Sequence, residues 1–344
     1  MKSVFLLVLT NTIFAASIDK ENVSRNVHSL INITSVNTRS VEACCNDDNL
    51  LHCTEISVDP TLLFSGEEIN ILGSDLVYDS PVEPHGFVYH NSQGDEAVIT
   101  YNNKTGNMFG SLKTHDDKSY AIEKCHHGYV IKEYDMASFE DEQMEMERSS
   151  APVIETLEDR VDDTTTVVTY SIMFYYTQAF EDATADIDGF IEQVLAETNQ
   201  GYINSQIPLR ASKLCAEKAN VEENNAVLSN FRIMKDGSTT KLRNTADAAA
   251  LLIKNYNWCG MASTFTYNTG NTVSVTKKSC ALGYYSFGHE IAHNLGALHD
   301  PRVSTNSRFP EGHGHLIAQV LSNIINIIHL HKVYHLQMLN IDKV

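Results

Sequence analysis

Residues 289–300 read His-Glu-Ile-Ala-His-Asn-Leu-Gly-Ala-Leu-His-Asp and constrain the fold of this 344-residue chain more than any other segment. The four-residue spacing of His289 and His293 predicts a helix on which both imidazoles project from one face and hold one metal ion together. His299 becomes a third ligand if the chain turns after the second histidine. Gly296 permits that turn, because glycine adopts a positive φ without steric cost.

Glu290 directly follows the first histidine, beside the expected ion but not required as a ligand. That is the position of a general base for a zinc-activated water, and three histidines with an open fourth position are typical of one catalytic Zn²⁺. The helix is expected from about Phe287 to Gly296, with Ser286 as its N-cap. The alternative is a surface helix whose histidines only make ordinary hydrogen bonds. The segment disfavours it, because six of its twelve residues match the positions that a zinc site requires.

Two regions with different secondary-structure patterns precede this motif. Residues 60–135 alternate short strands with Gly, Asn and Asp turns, which predicts a meander of β-hairpins. After an acidic stretch at 138–164, strands alternate with helices. The run up to Tyr176 is β-branched and aromatic and predicts a buried strand, and a helical pattern follows from Ala183 to Asn204. A strand followed by a long helix indicates the opening of an α/β unit.

The N-terminus has the layout of a secretory signal. Lys2 precedes an apolar stretch that ends in small residues at 15–17 and is too short to anchor the chain in a bilayer. No later segment approaches the length of a membrane span, so we expect a secreted, extracellular protein without an anchor. The tripeptides at Asn22, Asn32 and Asn103 fit N-glycosylation.

The formal net charge of −19 argues against nucleic acid or an anionic membrane as a partner, because their phosphates would be repelled. Much of the excess lies in the acidic stretch at 138–164, which is typical of a solvated linker. Nothing in the sequence predicts an oligomeric state.

The segment 289–300 resembles the extended zinc signature of the metzincins, and Asp300 after the third histidine resembles the reprolysin (adamalysin) branch in particular. The similarity runs from about Thr165 to His315 and includes Trp258-Cys-Gly-Met-Ala. The resemblance implies an α/β (α+β) metzincin-like catalytic domain, with a twisted mixed sheet and an active-site helix. It also implies that the three histidines bind zinc and that the glutamate is the general base.

The resemblance further implies a zinc metalloendopeptidase that hydrolyses the peptide bonds of an extended polypeptide. Substrate would pair by β-augmentation with an edge strand at 260–265. Asp300 corresponds to the family position that buttresses the domain below the site through a buried hydrogen bond. Cys259 and Cys280 flank the expected edge strand at a separation that suits a disulfide, which leaves Cys215 without an obvious partner.

Residues 60–135 resemble the prodomain of reprolysin-like enzymes, so a zymogen is expected. Such prodomains often silence zinc with a thiolate, and Cys125 is the candidate zymogen thiol, with a disulfide or an inert thiol as alternatives. The other cysteines of this half, which can pair in more than one way, are Cys44, Cys45 and Cys53. The expected segments are a signal peptide (1–17), a β-rich prodomain (18–137), an acidic linker (138–164), a catalytic domain (165–315) and a divergent tail (316–344).

Metzincins carry a methionine in a tight turn beneath the zinc, and this chain departs from that pattern. Residues 316–344 contain no Gly, Pro or Cys, and Met338 has no turn-forming neighbours. A helical or poorly ordered tail is expected there, rather than a second metal site at His329, His331 and His335. The missing turn leaves a second class of function open, a secreted zinc-binding protein without catalytic activity.

Overall fold

The computed structural model describes residues 27–33, 44–47, 49–66, 68–135, 167–234, 245–263, 272–283 and 285–295. The expected signal peptide, the acidic linker and everything after Leu295 lie outside these ranges. So do the predicted site residues Asn22, Gly296, His299 and Asp300. In the described part of the chain, no helix is both long and apolar enough to cross a membrane.

A ten-stranded sheet forms the N-terminal half, with the strand order β1-β4-β5-β6-β7-β8-β9-β10-β3-β2. Its strands are β1 (His28–Ser29), β2 (Ile31–Ile33), β3 (Leu50–Val58), β4 (Ile69–Ile71), β5 (Ser74–Val82), β6 (Gly86–His90), β7 (Glu96–Asn102), β8 (Asn107–Lys113), β9 (Ser119–Cys125) and β10 (Gly128–Tyr134). From β5 to β10 each strand pairs antiparallel with the next, so the predicted hairpin meander is confirmed. Asn32 and Asn103, two of the glycosylation candidates, are both exposed.

A five-stranded mixed sheet forms the C-terminal half, in the order β12-β11-β13-β15-β14. Its strands are β11 (Val168–Tyr176), β12 (Leu209–Lys218), β13 (Ala248–Ile253), β14 (Gly260–Ala262) and β15 (Val273–Lys277), and its helices are α1 (Gln178–Asp182), α2 (Ile187–Asn204), α3 (Val227–Ile233), α4 (Lys278–Ala281) and α5 (Ser286–Asn294). Four strands are parallel, and β14 is antiparallel at the edge. The expected strand-then-helix order is therefore observed.

Both faces of this second sheet are covered. Phe174 and Leu252 point into the core shared with α2 and α5, whereas Tyr175 and Leu251 point to the opposite side. There Tyr175 packs edge-to-face on Phe231 of α3, with ring centroids 5.2 Å apart. The central strands are therefore apolar on successive residues, as parallel strands between two helical layers require.

Two helix starts differ from the sequence-based expectation. The long helix begins at Ile187, not Ala183, because the Asp186 side chain accepts a hydrogen bond from Gly189 N at 2.9 Å and caps it there. The motif helix α5 begins at Ser286, so Ser286 is not its N-cap. The chain enters α5 through Tyr285 in the left-handed conformation, with φ 62°, and no side chain caps the first turn.

The N-terminal sheet packs directly on α2, so this helix is enclosed by both sheets. Phe109 of β8 lies so close to Gly189 that a Cβ on that glycine would meet Phe109 Cε2 at 2.5 Å. Across the same interface, Gln193 donates from Nε2 to Val98 O at 2.8 Å and accepts from Thr100 Oγ1 at 2.9 Å. Apolar packing and satisfied buried polar groups thus join the two halves.

A buried charge network crosses this interface. Glu123 of β9 accepts from Lys132 Nζ at 2.9 Å and from Lys278 Nζ at 2.5 Å, and all three side chains are buried. Asp47 pairs with Lys132 at 2.5 Å and also with Lys254. Burial by itself raises the pKa of Asp47, but the ammonium groups of these lysines outweigh it and hold the pKa well below its ordinary value.

All seven cysteines lie in described residues, and six of them form disulfides. Cys259 bonds to Cys280, the pair that suited a bridge, and Cys45 bonds to Cys53. Cys125 bonds to Cys44, with Cα atoms 6.2 Å apart, so a role for Cys125 as a zymogen thiol is wrong in this structure. A sulfur held in a disulfide is not a thiolate and cannot bind zinc as one. Cys215 remains a half-buried thiol.

Replacing Lys278 by Met tests the charge network. The substitution leaves the buried Glu123 carboxylate with one lysine, and we expect the free energy of unfolding to fall by about 3 kcal/mol. The matched control is Lys218→Met, which removes a half-exposed pair with Glu181 and should cost less than about 1 kcal/mol. Urea unfolding of both variants measures the difference, and equal losses would show that the network does not join the halves.

Candidate metal centre

The two histidines of α5 are arranged as a pair of metal ligands. His289 Nε2 and His293 Nε2 lie 2.9 Å apart, and the imidazole rings meet edge-to-face with centroids 4.5 Å apart. Two nitrogens bound to one tetrahedral Zn²⁺ at about 2.0–2.1 Å would lie roughly 3.3 Å apart. His289 is exposed and His293 is buried. The pair therefore fits two ligand positions of one zinc ion, with one ligand exposed to solvent and the other buried.

The third predicted ligand, His299, lies outside the described residues, as do the turn glycine and the buttressing aspartate. Within the ranges that the structure describes, no three His, Cys, Asp or Glu side chains converge as a metal site. Of the predicted set, the structure describes His289, His293 and Glu290; the two imidazoles contact each other, whereas Glu290 faces Gly260. His299, Gly296 and Asp300 stay sequence-based predictions.

Glu290 is fully buried against the edge strand of the second sheet. A Cβ on Gly260, the first residue of β14, would lie 2.6 Å from Glu290 Oε1 and 2.7 Å from its Cγ. Real Cβ atoms do not approach other atoms so closely, so a larger residue at this position would require the carboxylate to shift from where it lies. Gly260 therefore determines where the expected general base can stand.

The motif helix is seated on the core by one face. Phe287 stacks on Phe174 of β11, with ring centroids 5.3 Å apart and planes inclined by 18°. Gly288 faces Thr198 of α2, whose Oγ1 would lie 3.2 Å from a Cβ at that glycine. Ile291 is fully buried in the same core. With the helix seated in this way, His289 is exposed and His293 is buried.

The edge strand beside the helix is shorter than expected. β14 covers Gly260–Ala262, where the sequence predicted a strand at 260–265, and residues 264–271 lie outside the described part. It pairs antiparallel with β15, and its other edge forms the margin of the sheet. The Cys259–Cys280 disulfide ties the start of β14 to α4. The first residue of β14 adjoins Glu290, and the pairing of a substrate with this strand stays a prediction.

Asn294 is a site residue that the sequence reasoning missed. It is buried, and its Nδ2 donates to Ser263 O at 2.8 Å and to Val273 O at 3.0 Å. These two carbonyls lie where β14 ends and β15 begins. The available signal was spacing, since Asn294 follows Glu290 by four residues and must share its helix face.

Glu197 of α2 holds the loop that leads into the motif helix. Its Oε2 accepts from Gly283 N at 3.0 Å, and its Oε1 accepts from Gln193 Nε2 at 3.1 Å. Burial raises the pKa of this carboxyl to about 7, against hydrogen bonds from Gln193, Gly283 and Ser111 that lower it. Ser119 of the N-terminal sheet also donates to Gly283 O at 2.8 Å, so both halves hold this loop.

Comparison with known proteins identifies the second half of the chain. Residues 166–319 match the family model Reprolysin_5, described as metallo-peptidase family M12. The match agrees with the resemblance that the motif carries, and the described strands and helices of this segment form the mixed sheet and motif helix set out above.

Two curated relatives carry the name peptidyl-Asp metalloendopeptidase. The protein from Stenotrophomonas maltophilia (strain K279a) is 36% identical over 139 residues, which are 38% of this chain and 33% of the relative. The protein from Xanthomonas campestris pv. campestris is 31% identical over the same length, with the same shares. The matched segment thus spans about a third of the length of each relative.

One solved structure aligns with most of this chain. Metalloproteinase-II from Bacteroides fragilis aligns with 88% of this chain and 98% of its own chain, at 12% sequence identity and a TM-score of 0.42. At that score the likeness adds nothing to the assignment of function.

Replacing Gly260 by Ala should displace the Glu290 carboxylate, because the new methyl group would overlap its Cγ and Oε1. We expect peptidase activity to fall by roughly a hundredfold, the effect of a misplacement of about 1 Å, while one zinc per chain is retained. Gly201→Ala is the control, because nothing lies within 4 Å of a Cβ at that helical position. Kinetics with metal analysis would decide, and an unchanged kcat would contradict the assigned contact.

Stability should depend on pH through Glu197. Its pKa is 4.5 in an ordinary setting and about 7 in the folded chain, so the folded state binds a proton that the unfolded state has released. The contribution is fully present below about pH 4.5 and is lost as pH rises through about 7, which amounts to about 3 kcal/mol. Urea unfolding of wild type and Glu197→Gln at several pH values should therefore show a difference that changes over this range. A constant difference would contradict the raised pKa.

Proposed function

We propose that this chain is a secreted zinc metalloendopeptidase, made as a zymogen, with Glu290 as its general base. The observation that carries this proposal is the geometry of α5, where two imidazole nitrogens lie 2.9 Å apart and a glutamate adjoins them in sequence. The family match of residues 166–319 supports a peptidase in preference to another zinc hydrolase. The expected signal sequence at 1–17 supports secretion.

His289, His293 and His299 would hold the metal. When bound, Zn²⁺ acts as a Lewis acid that polarises the scissile carbonyl and lowers the pKa of the attacking water towards about 7. Glu290 takes the proton of that water and passes it to the leaving amine. Its enclosure against Gly260 keeps the carboxylate in one place and out of bulk water.

The substrate we propose is an extended polypeptide that pairs with the free margin of β14. The strand lies beside Glu290, so a chain paired with it would bring a peptide bond towards the base. The name of the two relatives leads us to propose cleavage next to an aspartyl residue. A peptide substrate agrees with the net charge of −19, which disfavours nucleic acid.

We also propose that the N-terminal sheet restrains the enzyme by packing and not by a thiolate. Its candidate cysteine is in a disulfide, while Ser119 contacts the loop at Gly283 that leads into α5. A cut in the acidic linker, where Arg148 and Arg160 suit a trypsin-like protease, would free the second half from its tether. Zymogen latency thus depends on the interface with α2.

Glu290→Gln tests the mechanism. The amide keeps the shape of the side chain but cannot accept the proton, so we expect hydrolysis of casein to fall by at least a hundredfold, within the range for general-base catalysis. Zinc content should stay at one per chain, and a chelator should abolish wild-type activity. Glu217→Gln on β12 is a matched control that should retain activity.

The outcomes separate the competing functions. Proteolysis that is unaffected by Glu290→Gln would overturn the assignment of the base. Zinc at one per chain without turnover, after cleavage of the linker, would favour the non-catalytic zinc-binding protein. Activity that resists chelation would exclude a metallopeptidase.

A further inference from the structure

The motif helix carries two interleaved pairs of side chains. His289 and His293 are four residues apart and form the metal pair. Glu290 and Asn294 are also four residues apart, one position further along, and therefore share a neighbouring face of α5. Both members of this second pair contact the hairpin β14–β15, at opposite ends of the edge strand.

The contact at the far end is a hydrogen-bonded clamp. Asn294 Nδ2 bridges Ser263 O and Val273 O, and both neighbours are acceptors, so the amide must present its NH₂ group to them. Val273 O also accepts from Ser263 N at 2.9 Å and from Ser263 Oγ at 3.1 Å. The Asn294 side chain thus hydrogen-bonds to the backbone on both sides of the hairpin connection.

The clamp is buried, which gives it energetic weight. Asn294, Ser263 and Val273 are all buried, and a buried carbonyl that loses its donor carries a desolvation penalty. The hairpin is short, because β14 makes only three residue pairs with β15. Ser263 and Val273 also bond to each other, but the hydrogen bonds from Asn294 Nδ2 run from α5 to the backbone at this end of the hairpin.

We propose that Asn294 is a positioning residue for the substrate: it fixes edge strand β14 to the zinc-ligand helix, so that a polypeptide paired with β14 lies in register with Glu290. The inference rests on the proposed endopeptidase function, and it assigns to Asn294 a role in recognising extended chains. Gly260 is the companion contact, since it sets the separation of the strand and the base at the near end.

The chain offers a matched control in Asn199. This asparagine is also fully buried, and its Nδ2 donates to Ala211 O at 3.1 Å and to Glu83 O at 2.8 Å. It lies on α2, and these partners belong to β12 and to the connection between β5 and β6. A purely structural role for a buried asparagine should therefore show equally in Asn199→Ala and Asn294→Ala.

The first experiment needs no activity. Hydrogen exchange is measured on the full chain for wild type, Asn294→Ala and Asn199→Ala, by the mass of peptides from residues 258–263 and 272–277. We expect exchange in these peptides to become roughly tenfold faster in Asn294→Ala only, because its two hydrogen bonds to the hairpin are lost. Asn294→Ser, which retains one donor, should be intermediate and serves if the alanine variant does not fold.

The second experiment uses quenched fluorescent peptides of two lengths, a decapeptide and a tetrapeptide that share a central aspartyl bond. We expect kcat/KM for the decapeptide to fall by about tenfold to a hundredfold in Asn294→Ala, chiefly through KM, with zinc still bound. The tetrapeptide, which is too short to pair along β14, should lose less than about threefold.

The results have distinct meanings. Equal losses for both peptides, or the same pattern in Asn199→Ala, would overturn the positioning role. Unchanged hydrogen exchange in the β14 and β15 peptides of Asn294→Ala would overturn the clamp. Wild type that cleaves neither peptide nor casein would instead overturn the proposed function, and hydrogen exchange would still decide on the clamp.

Discussion

The enclosure of α2 between two sheets is the constraint on which the rest of the structure depends. The helix packs on the mixed sheet with one side and on β7 and β8 with the other, so its polar side chains are buried and need partners. Gln193 finds them in Val98 and Thr100, whereas Glu197 finds them in Gln193 and Gly283. These partners lie on the N-terminal sheet, on α2 itself and on the loop before α5. The helix therefore relates the N-terminal half to the metal helix.

The position of the motif helix α5 depends on this packing. The motif helix contacts α2 through Gly288 and β11 through Phe287, and it contacts the edge strand through Glu290 and Asn294. The two histidines and the residues that contact the edge strand thus lie on adjacent faces of one short helix. A shift of the helix would move all of them together.

The two halves of the chain are joined by contacts other than the thiolate that the family resemblance implied. The N-terminal half keeps its cysteines in disulfides, and it meets the second half through apolar packing, helix-cap contacts and buried charges. Asp186 makes contacts in both halves. Its carboxylate caps α2, and it also accepts hydrogen bonds from Thr105 and Asn107 at the β7–β8 turn. Release of the first half would remove hydrogen-bond and ion-pair partners from the second half. The interface between the halves therefore also stabilises the second half.

The sequence alone determined what depends on short-range spacing. The i,i+4 histidines, the hairpin meander and the buried strand before α2 follow from local periodicity, and the structure shows each of them near its expected place. Tertiary structure decided what depends on contacts between distant residues. The partner of Cys125 is 81 residues away, the partners of Lys278 and Asn294 lie on other elements, and the left-handed entry at Tyr285 replaces a serine cap. No local pattern encodes such pairs, because packing brings them together only after both sheets have closed on α2.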